Sequence, residues 1–549
     1  MIWQAFESEN VSEQKNKLII AMTIAVISVI LLGAVSFAFF PVEPKSQNGN
    51  PFFGFITARS SHLGVIFVAS DGNVNSTALN QTGNLYSQTN NIINQTILVQ
   101  RDNIVIDGSG YAFDGSEINL NGRSNVTIRN MDFTNASSIT LNETSNCLIT
   151  ENSVPKTPNI ISLWLNLENS SNNVISSNNL TMANIELYFS QNNTIINNTI
   201  TDALSYGVSL SWSSNNTING NYFASVLDPI DVDYNQNVIS GNNMVNCDQG
   251  VRVLGSGNIV FGNNMTFADL GYHVQASDFM TGIVVDGSNN TVYRNIITGY
   301  ALAGISVDSG GNAILSNGTP IPGEGFNNTF FENIIAYNKY GVLVGPEGYN
   351  AVDNNTIYHN DFINNYQNIL VSSPDSVESN AGIAYYTNFW DNGSEGNFYS
   401  DYAQKYPSAL ESGSSGIMNI PYSINSHNSD PYPLAQPYMH ENLSSYSNPF
   451  AGQTPFPYAL RLTRPLSDDI VTAQNRNSIY VEFYTLPPNV TLHLNPAIAI
   501  VNVTTTLRAY TFNLAEPLPA STNYTATIIF GEGNNTQSYA WNFTTPSYS

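Results

Sequence analysis

The chain has 549 residues, of which 10% are charged and 42% hydrophobic, and its 41 acidic against 16 basic side chains give a net charge of -25. That balance repels phosphate backbones and anionic lipid surfaces, which argues against nucleic acid as a partner. The apolar content is too high for a disordered chain, and the length is too great for one ordinary core, so several domains or a repeat architecture are expected. Cys147 and Cys247 are the only cysteines. So distant a pair makes neither a disulfide framework nor a zinc site, and both are expected as free thiols.

From the N-terminus, the first feature is the uncharged stretch Leu18–Phe40, LIIAMTIAVISVILLGAVSFAFF. It is long enough to span a hydrocarbon layer of about 30 Å. A cleaved signal peptide has a shorter apolar core, about 7–15 residues, so the stretch reads as one uncleaved transmembrane helix. Lys15 and Lys17 precede it and put residues 1–17 in the cytoplasm and the main body outside the cell or in the periplasm. Residues 41–65 follow as a linker. About two dozen Asn-x-Ser/Thr sequons, among them Asn75, Asn94, Asn135, Asn392, Asn489 and Asn542, suit a glycoprotein. A repeat rich in Asn-Thr also produces sequons with no selection for sugar.

Between residues 66 and 437 the phrase Asn-x-Ile/Val-x-x-Asn recurs. Copies include NVTIRN from Asn125, NVISSN from Asn173, NTIINN from Asn193, NTINGN from Asn216, NVISGN from Asn237, NTVYRN from Asn290 and NTIYHN from Asn355. A second motif, small-Gly-apolar-x-apolar, falls between them near Gly207, Gly250, Gly282, Gly304 and Gly341. Alternation over four or five residues indicates strand. Two or three short strands per repeat, with no helical period, fit a β-solenoid whose strands pair one coil apart at about 4.8 Å. Inward asparagines at the corners are expected to hydrogen-bond the coils above and below. The insertion between Gly310 and Phe326 should bulge outward as a loop.

The stretch 438–457 is rich in Pro and Ser and reads as a linker. Beyond it, residues 458–549 hold longer alternating runs, SIYVEFYTL, AIAIVNV, LRAYTFNL, TNYTATIIF and SYAWNFTTP. Their turns and apolar alternation predict a β-sandwich with Trp541 and Phe543 in its last strand.

Aligning the second motif places two outward columns on the solenoid. The first runs Ser162, Glu186, Ser209, Asp231, Arg252, Val284, Ser306, and the second Trp164, Tyr188, Ser211, Asp233, Leu254, Asp286, Asp308. Asp286 and Asp308 should then be stacked neighbours, with Asp231 facing Arg252 one coil away. Trp164 and Tyr188 should share a strip on which sugar rings can stack, making Trp164, Tyr188, Asp231 and Arg252 candidate glycan contacts. Paired carboxyls can act as acid and base, so Asp233, Asp286 and Asp308 are the catalytic candidates. Outward columns collect Asp for solubility alone, however, and neither column contains a histidine.

The repeat resembles the right-handed parallel β-helix proteins of the NosD type. QTILVQRDNIVIDGSGYAFDGS from Gln95 is similar to that family's first coil, and NFWDNGSEGNFYSDY from Asn388 with DPYPLAQP from Asp430 to its terminal segments. AEPLPASTNYTATI and WNFTTP resemble bacterial Ig-like domains. The resemblance implies an all-β chain: a right-handed parallel β-helix, a C-terminal Ig-like β-sandwich and one N-terminal transmembrane helix. It departs from the family at Ser415, Gly416, Met418 and Asn419, where a carboxylate-rich stretch is usual, which weakens the expectation of an ion site there. The NosD name also implies periplasmic copper binding, but His62, His273, His359, His427, His440 and His493 are scattered, and copper needs clustered soft or imidazole ligands. No cofactor and no metal are expected. The leading expectation is a membrane-anchored cell-surface protein with a structural, adhesive or carbohydrate-binding role. A polysaccharide lyase or hydrolase using the Asp strip, and copper delivery, are the alternatives.

Overall fold

The computed structural model describes residues 64–155, 163–267, 280–308, 325–345, 352–371, 387–439, 460–464, 476–483, 489–505, 509–530 and 537–545. The apolar segment Leu18–Phe40, Ser162 and most of the Gly310–Phe326 insertion lie outside them. Among the described residues no helix is long and apolar enough to cross a membrane.

Three parallel sheets of 13 strands each run side by side from Gly64 to the strand Phe398–Tyr399. Within a coil the chain visits a wide sheet with strands of up to six residues, such as Ala183–Tyr188. It then visits two narrow sheets with strands of about three residues, such as Thr194–Ile196 and Thr199–Thr201. Apart from the antiparallel pair Leu79–Thr82 and Leu85–Gln88 that opens one narrow sheet, each strand pairs in parallel with its counterpart one coil on, as Ile185 does with Val208 and Ile195 with Ile218. The interior is a stack of aliphatic side chains in which Ile195, Ile218, Ile239 and Val260 succeed one another almost wholly buried. At about 4.8 Å per coil the described stack is about 60 Å long.

What turns the corners is asparagine. In each later copy of the phrase, its first and last Asn face inward at the two ends of a narrow strand. The side-chain oxygen of Asn221 accepts the backbone N–H of Asn198 at 2.9 Å and its Nδ2 at 3.0 Å. Asn198 Nδ2 also donates to the carbonyl of Ile175 at 2.9 Å. Repeated from coil to coil, these bonds form two ladders, one from Asn173 to Asn388 and one from Asn152 to Asn397. The residue before each inward Asn of the first ladder takes a left-handed conformation, with φ near 57° at Asn192, Asn215, Asn327 and Asn354. Asn tolerates that region better than other side-chain-bearing residues. These exposed corner asparagines are also the sequon asparagines, so backbone geometry alone accounts for that subset. In the copies at Asn125 and Asn146 the phrase is offset by one residue, so Met131 and Cys147 begin the ladders by donating to Asn152 and Asn173.

The glycine of the second motif is demanded by space. A Cβ on Gly282 would lie 2.2 Å from Ile297 Cγ2, so the wide sheet can approach the core there only without one. Cys147 and Cys247 are both free and buried.

The C-terminal motif ends both ladders. Asn388 donates its backbone N–H to Asn428 Oδ1, and Asn397 donates to Asp430 Oδ2 at 2.7 Å. Trp390 is buried beneath this segment with its indole N–H on Asn428 Oδ1 at 3.0 Å. Farther on, an antiparallel sheet of four strands and one of three share a single core built on Ile479, Val481, Phe512, Ile528, Phe530 and Phe543. Phe543 is therefore a core residue, whereas the side chain of Trp541 lies outside the described residues.

Replacing Asn221 with Ala would strand the buried backbone N–H of Asn198 and take one of the bonds from its amide, which keeps Ile175. Such losses cost about 1–3 kcal/mol per group, so Asn221→Ala is expected to destabilise the solenoid by about that amount or more in denaturant unfolding, while Asn215→Gly at the exposed corner should change it by only a few tenths.

Candidate functional site

The wide sheet carries the chemistry. Its outward column Asn166, Glu186, Ser209, Asp231, Arg252, Val284, Ser306 is set by strand register. A second column follows two residues along each strand. Backbone bonds from Asp233 to Leu210, Leu254 to Val232, Asp286 to Val253 and Asp308 to Val285 place Asp286 and Asp308 one coil apart. Trp164 departs from the expected alignment. It registers with Ser138 and Asn184, while Glu168 is the residue beside Tyr188. The strand Leu163–Glu168 therefore sits four residues away from the alignment read in the sequence. A shift by an even number of residues keeps side chains on the same face, so Trp164 is still outward and 40% exposed. It does not share a column with Tyr188.

Arg252 stands between two carboxylates. Its Nη1 is 3.7 Å from Asp231 Oδ1 on the coil before, and its Nη2 is 4.0 Å from Asp286 Oδ2 on the coil after. Tyr206 and Asp228 register with each other at the start of the same strands, and Ser211 donates to Asp233 Oδ2 at 3.2 Å. Asp231 is only 4% exposed, and among the described residues its Oδ1 accepts no hydrogen bond. Burial, reinforced by Asp233 and opposed by Arg252, pushes its carboxyl up to about 7. Burial and neighbouring Asp228 push Asp248 up to about 7 as well. Burial alone raises Glu186. Burial pulls Arg252 downward, but Asp231, Asp286 and Asp233 outweigh it and leave the guanidinium more firmly protonated.

Beside this cluster runs an aromatic strip that the sequence columns did not include. Phe189, Trp212 and Tyr234 each follow a second-column residue. Phe189 lies 6.1 Å from Trp212, and Trp212 lies 5.6 Å from Tyr234, between ring centroids. Phe189 is 46% exposed and Trp212 52%, yet both hold left-handed backbones, at φ 49° and 54°. A bulky side chain in that region costs about 1–3 kcal/mol. Extending the column alignment by one position would have revealed the strip, since aromatic residues there replace the Asn and Gly usual at the corner. A second aromatic column, Phe261, Tyr293, Phe331 and Tyr358, is different in kind. Its rings stack at 4.9–5.4 Å with planes within 7° of parallel, so their faces are already covered by one another.

Among the described residues no three His, Cys, Asp or Glu side chains are grouped to hold a metal ion. His359 is engaged by Glu395 at 2.7 Å and stacks on Tyr438. His62, His273 and His440 lie outside the described residues.

Residues 66–223, 116–267 and 183–319 match the family model described as right handed beta helix region. Comparison with curated proteins gives no match. Among solved structures, the chain is similar to a mannuronic acid specific polysaccharide family 6 lyase from human gut microbiota, at 15% identity over 60% of this chain and 80% of that one, TM-score 0.37. It is also similar to a tailspike protein variant of E. coli bacteriophage HK620 in complex with a pentasaccharide, at 10% identity over 55% and 59%, TM-score 0.38. A third is the A-module of a mannuronan C-5 epimerase of Azotobacter vinelandii, at 12% identity over 56% and 87%, TM-score 0.34.

Asp231, Asp248 and Asp430 are each pushed up to about 7 from 3.8 by burial. A carboxyl raised on folding contributes stability that is whole below the unfolded value and lost as the pH rises through the folded one. The melting temperature is therefore expected to fall by several degrees between pH 5 and pH 8, and Asp231→Asn to shrink that fall. A profile that is flat or rises over this interval would count against the assignment.

Proposed function

We propose that this chain is a membrane-anchored envelope protein of the NosD-like β-helix type that binds a glycan on the wide face of its solenoid. The observation that carries the reading is the strip Phe189, Trp212 and Tyr234, in which Phe189 and Trp212 are exposed rings kept in a costly backbone conformation, beside Asp231, Asp233 and Arg252. Aromatic faces stack on the C–H faces of sugars, and flanking carboxylates and a guanidinium accept and donate to hydroxyls. Backbone strain that stability alone would remove points to a functional role. The apolar segment Leu18–Phe40 supports the anchor with the N-terminus inside, and the sandwich, read as Ig-like, is a second surface module.

An enzymatic reading has one observation in its favour. Asp231, poised near 7, could protonate a glycosidic oxygen while Asp286, or Asp308 one coil on, serves as the second carboxyl of a hydrolase. Release of reducing ends from a polysaccharide, abolished by Asp231→Asn or Asp286→Ala, would establish it. Copper delivery rests on the resemblance alone.

A glycan array followed by titration tests the leading reading. Trp212→Gly is expected to lower affinity for any bound glycan by at least about tenfold, equivalent to about 1.4 kcal/mol, while leaving the melting temperature unchanged or raised, because glycine relieves the left-handed strain. Unchanged affinity would remove Trp212 from the site.

A further inference from the structure

The same face also indicates which glycans it suits, an inference that rests on the glycan-binding reading. Asp228, Asp231, Asp233 and Asp286 surround the single guanidinium of Arg252, which both Asp231 and Asp286 already engage. A uronate would bring another carboxylate to a place where the one cation is committed, with like charges around it. The face instead lacks a donor. Among the described residues Asp231 Oδ1 is buried without a hydrogen bond, its ion pair with Arg252 coming no closer than 3.7 Å, and Gln249 Oε1 on the strand of Arg252 is buried without one too. A buried acceptor left unpaired costs about 1–3 kcal/mol, which a ligand donor can recover. Asp233 is exposed, beside Arg252, and accepts the Ser211 hydroxyl at 3.2 Å.

We infer that the wide face binds a glycan carrying free amino groups, such as a glucosamine polymer, with the ammonium near Asp233 and Asp231 and the sugar ring on Trp212. An ammonium supplies three donors and a positive charge to a site rich in acceptors and short of cations. The rings of Trp212 and Phe189 add cation–π attraction, and the chain's net charge of -25 draws cationic polymers toward it.

The test is calorimetric titration of the full-length chain in detergent with four hexamers: glucosamine, its N-acetylated counterpart, glucose in β-1,4 linkage, and mannuronate. The glucosamine hexamer is expected to bind at least about tenfold tighter than the N-acetylated one. High salt should erode that margin, and Asp233→Asn should weaken the glucosamine hexamer more than the N-acetylated one, so that the margin between them collapses. Mannuronate binding as tight as or tighter than glucosamine would overturn the inference. If the acetylated or the neutral hexamer binds through Trp212, shown by loss in Trp212→Gly, and the free amine confers no margin, the inference fails while the glycan reading stands. If no hexamer binds, both fail.

Discussion

The hydrogen bond from one coil's backbone and amide to the next coil's asparagine oxygen is the constraint on which the solenoid depends. A coil of about 20 residues cannot close a core by itself, and at its corners the backbone leaves the sheet and loses its ladder partners. The inward Asn supplies both what the corner lacks and what its own side chain needs. Asn198 shows this in full: its N–H and Nδ2 reach Asn221, and Nδ2 also reaches Ile175. Because each rung satisfies its neighbour, the loss of one affects two, and stability is shared along the stack as nearest-neighbour terms.

This scaffold makes the wide sheet a ruled surface. Once the corners fix the coil length, every outward position repeats at the strand spacing, so charges such as Asp231, Arg252 and Asp286 meet with no local turn to arrange them. The corner also explains where strain can be stored. Asn and Gly occupy its left-handed position at little cost, so Phe189 and Trp212 at that position exchange stability for exposed ring surface. A site built this way is held by rigid strands on one side and by strained corners on the other.

Much of this was legible in the sequence because the repeat writes its geometry directly. The two asparagines of NTIINN are the ladder residues Asn193 and Asn198, and the glycine of the second motif marks a close approach. The pairing of Asp231 with Arg252 followed from counting along aligned copies. The count failed at Trp164, where residues 163–168 form a longer strand than the motif anticipates and the apparent match lay four residues off. The aromatic strip escaped for a different reason: it lies one position beyond the aligned columns, at corners that look like loops in sequence. Burial of Asp231 is likewise a property of packed surroundings that no column of letters conveys.

The ladders have a direction. In every rung the donor lies toward the N-terminus and the acceptor toward the C-terminus, so a further coil could in principle always be added to an open end, as in a fibril. At Asp430 that sequence of bonds meets an ionisable carboxyl that receives Asn397 and Tyr399 but, unlike an asparagine amide, has no NH2 group to pass on. The last rung is therefore a chemical full stop. The other ladder ends on Asn428, whose amide turns back onto Asn425 in the closing segment, so the stack's edge is closed and its length is set by sequence, not by supply of subunits.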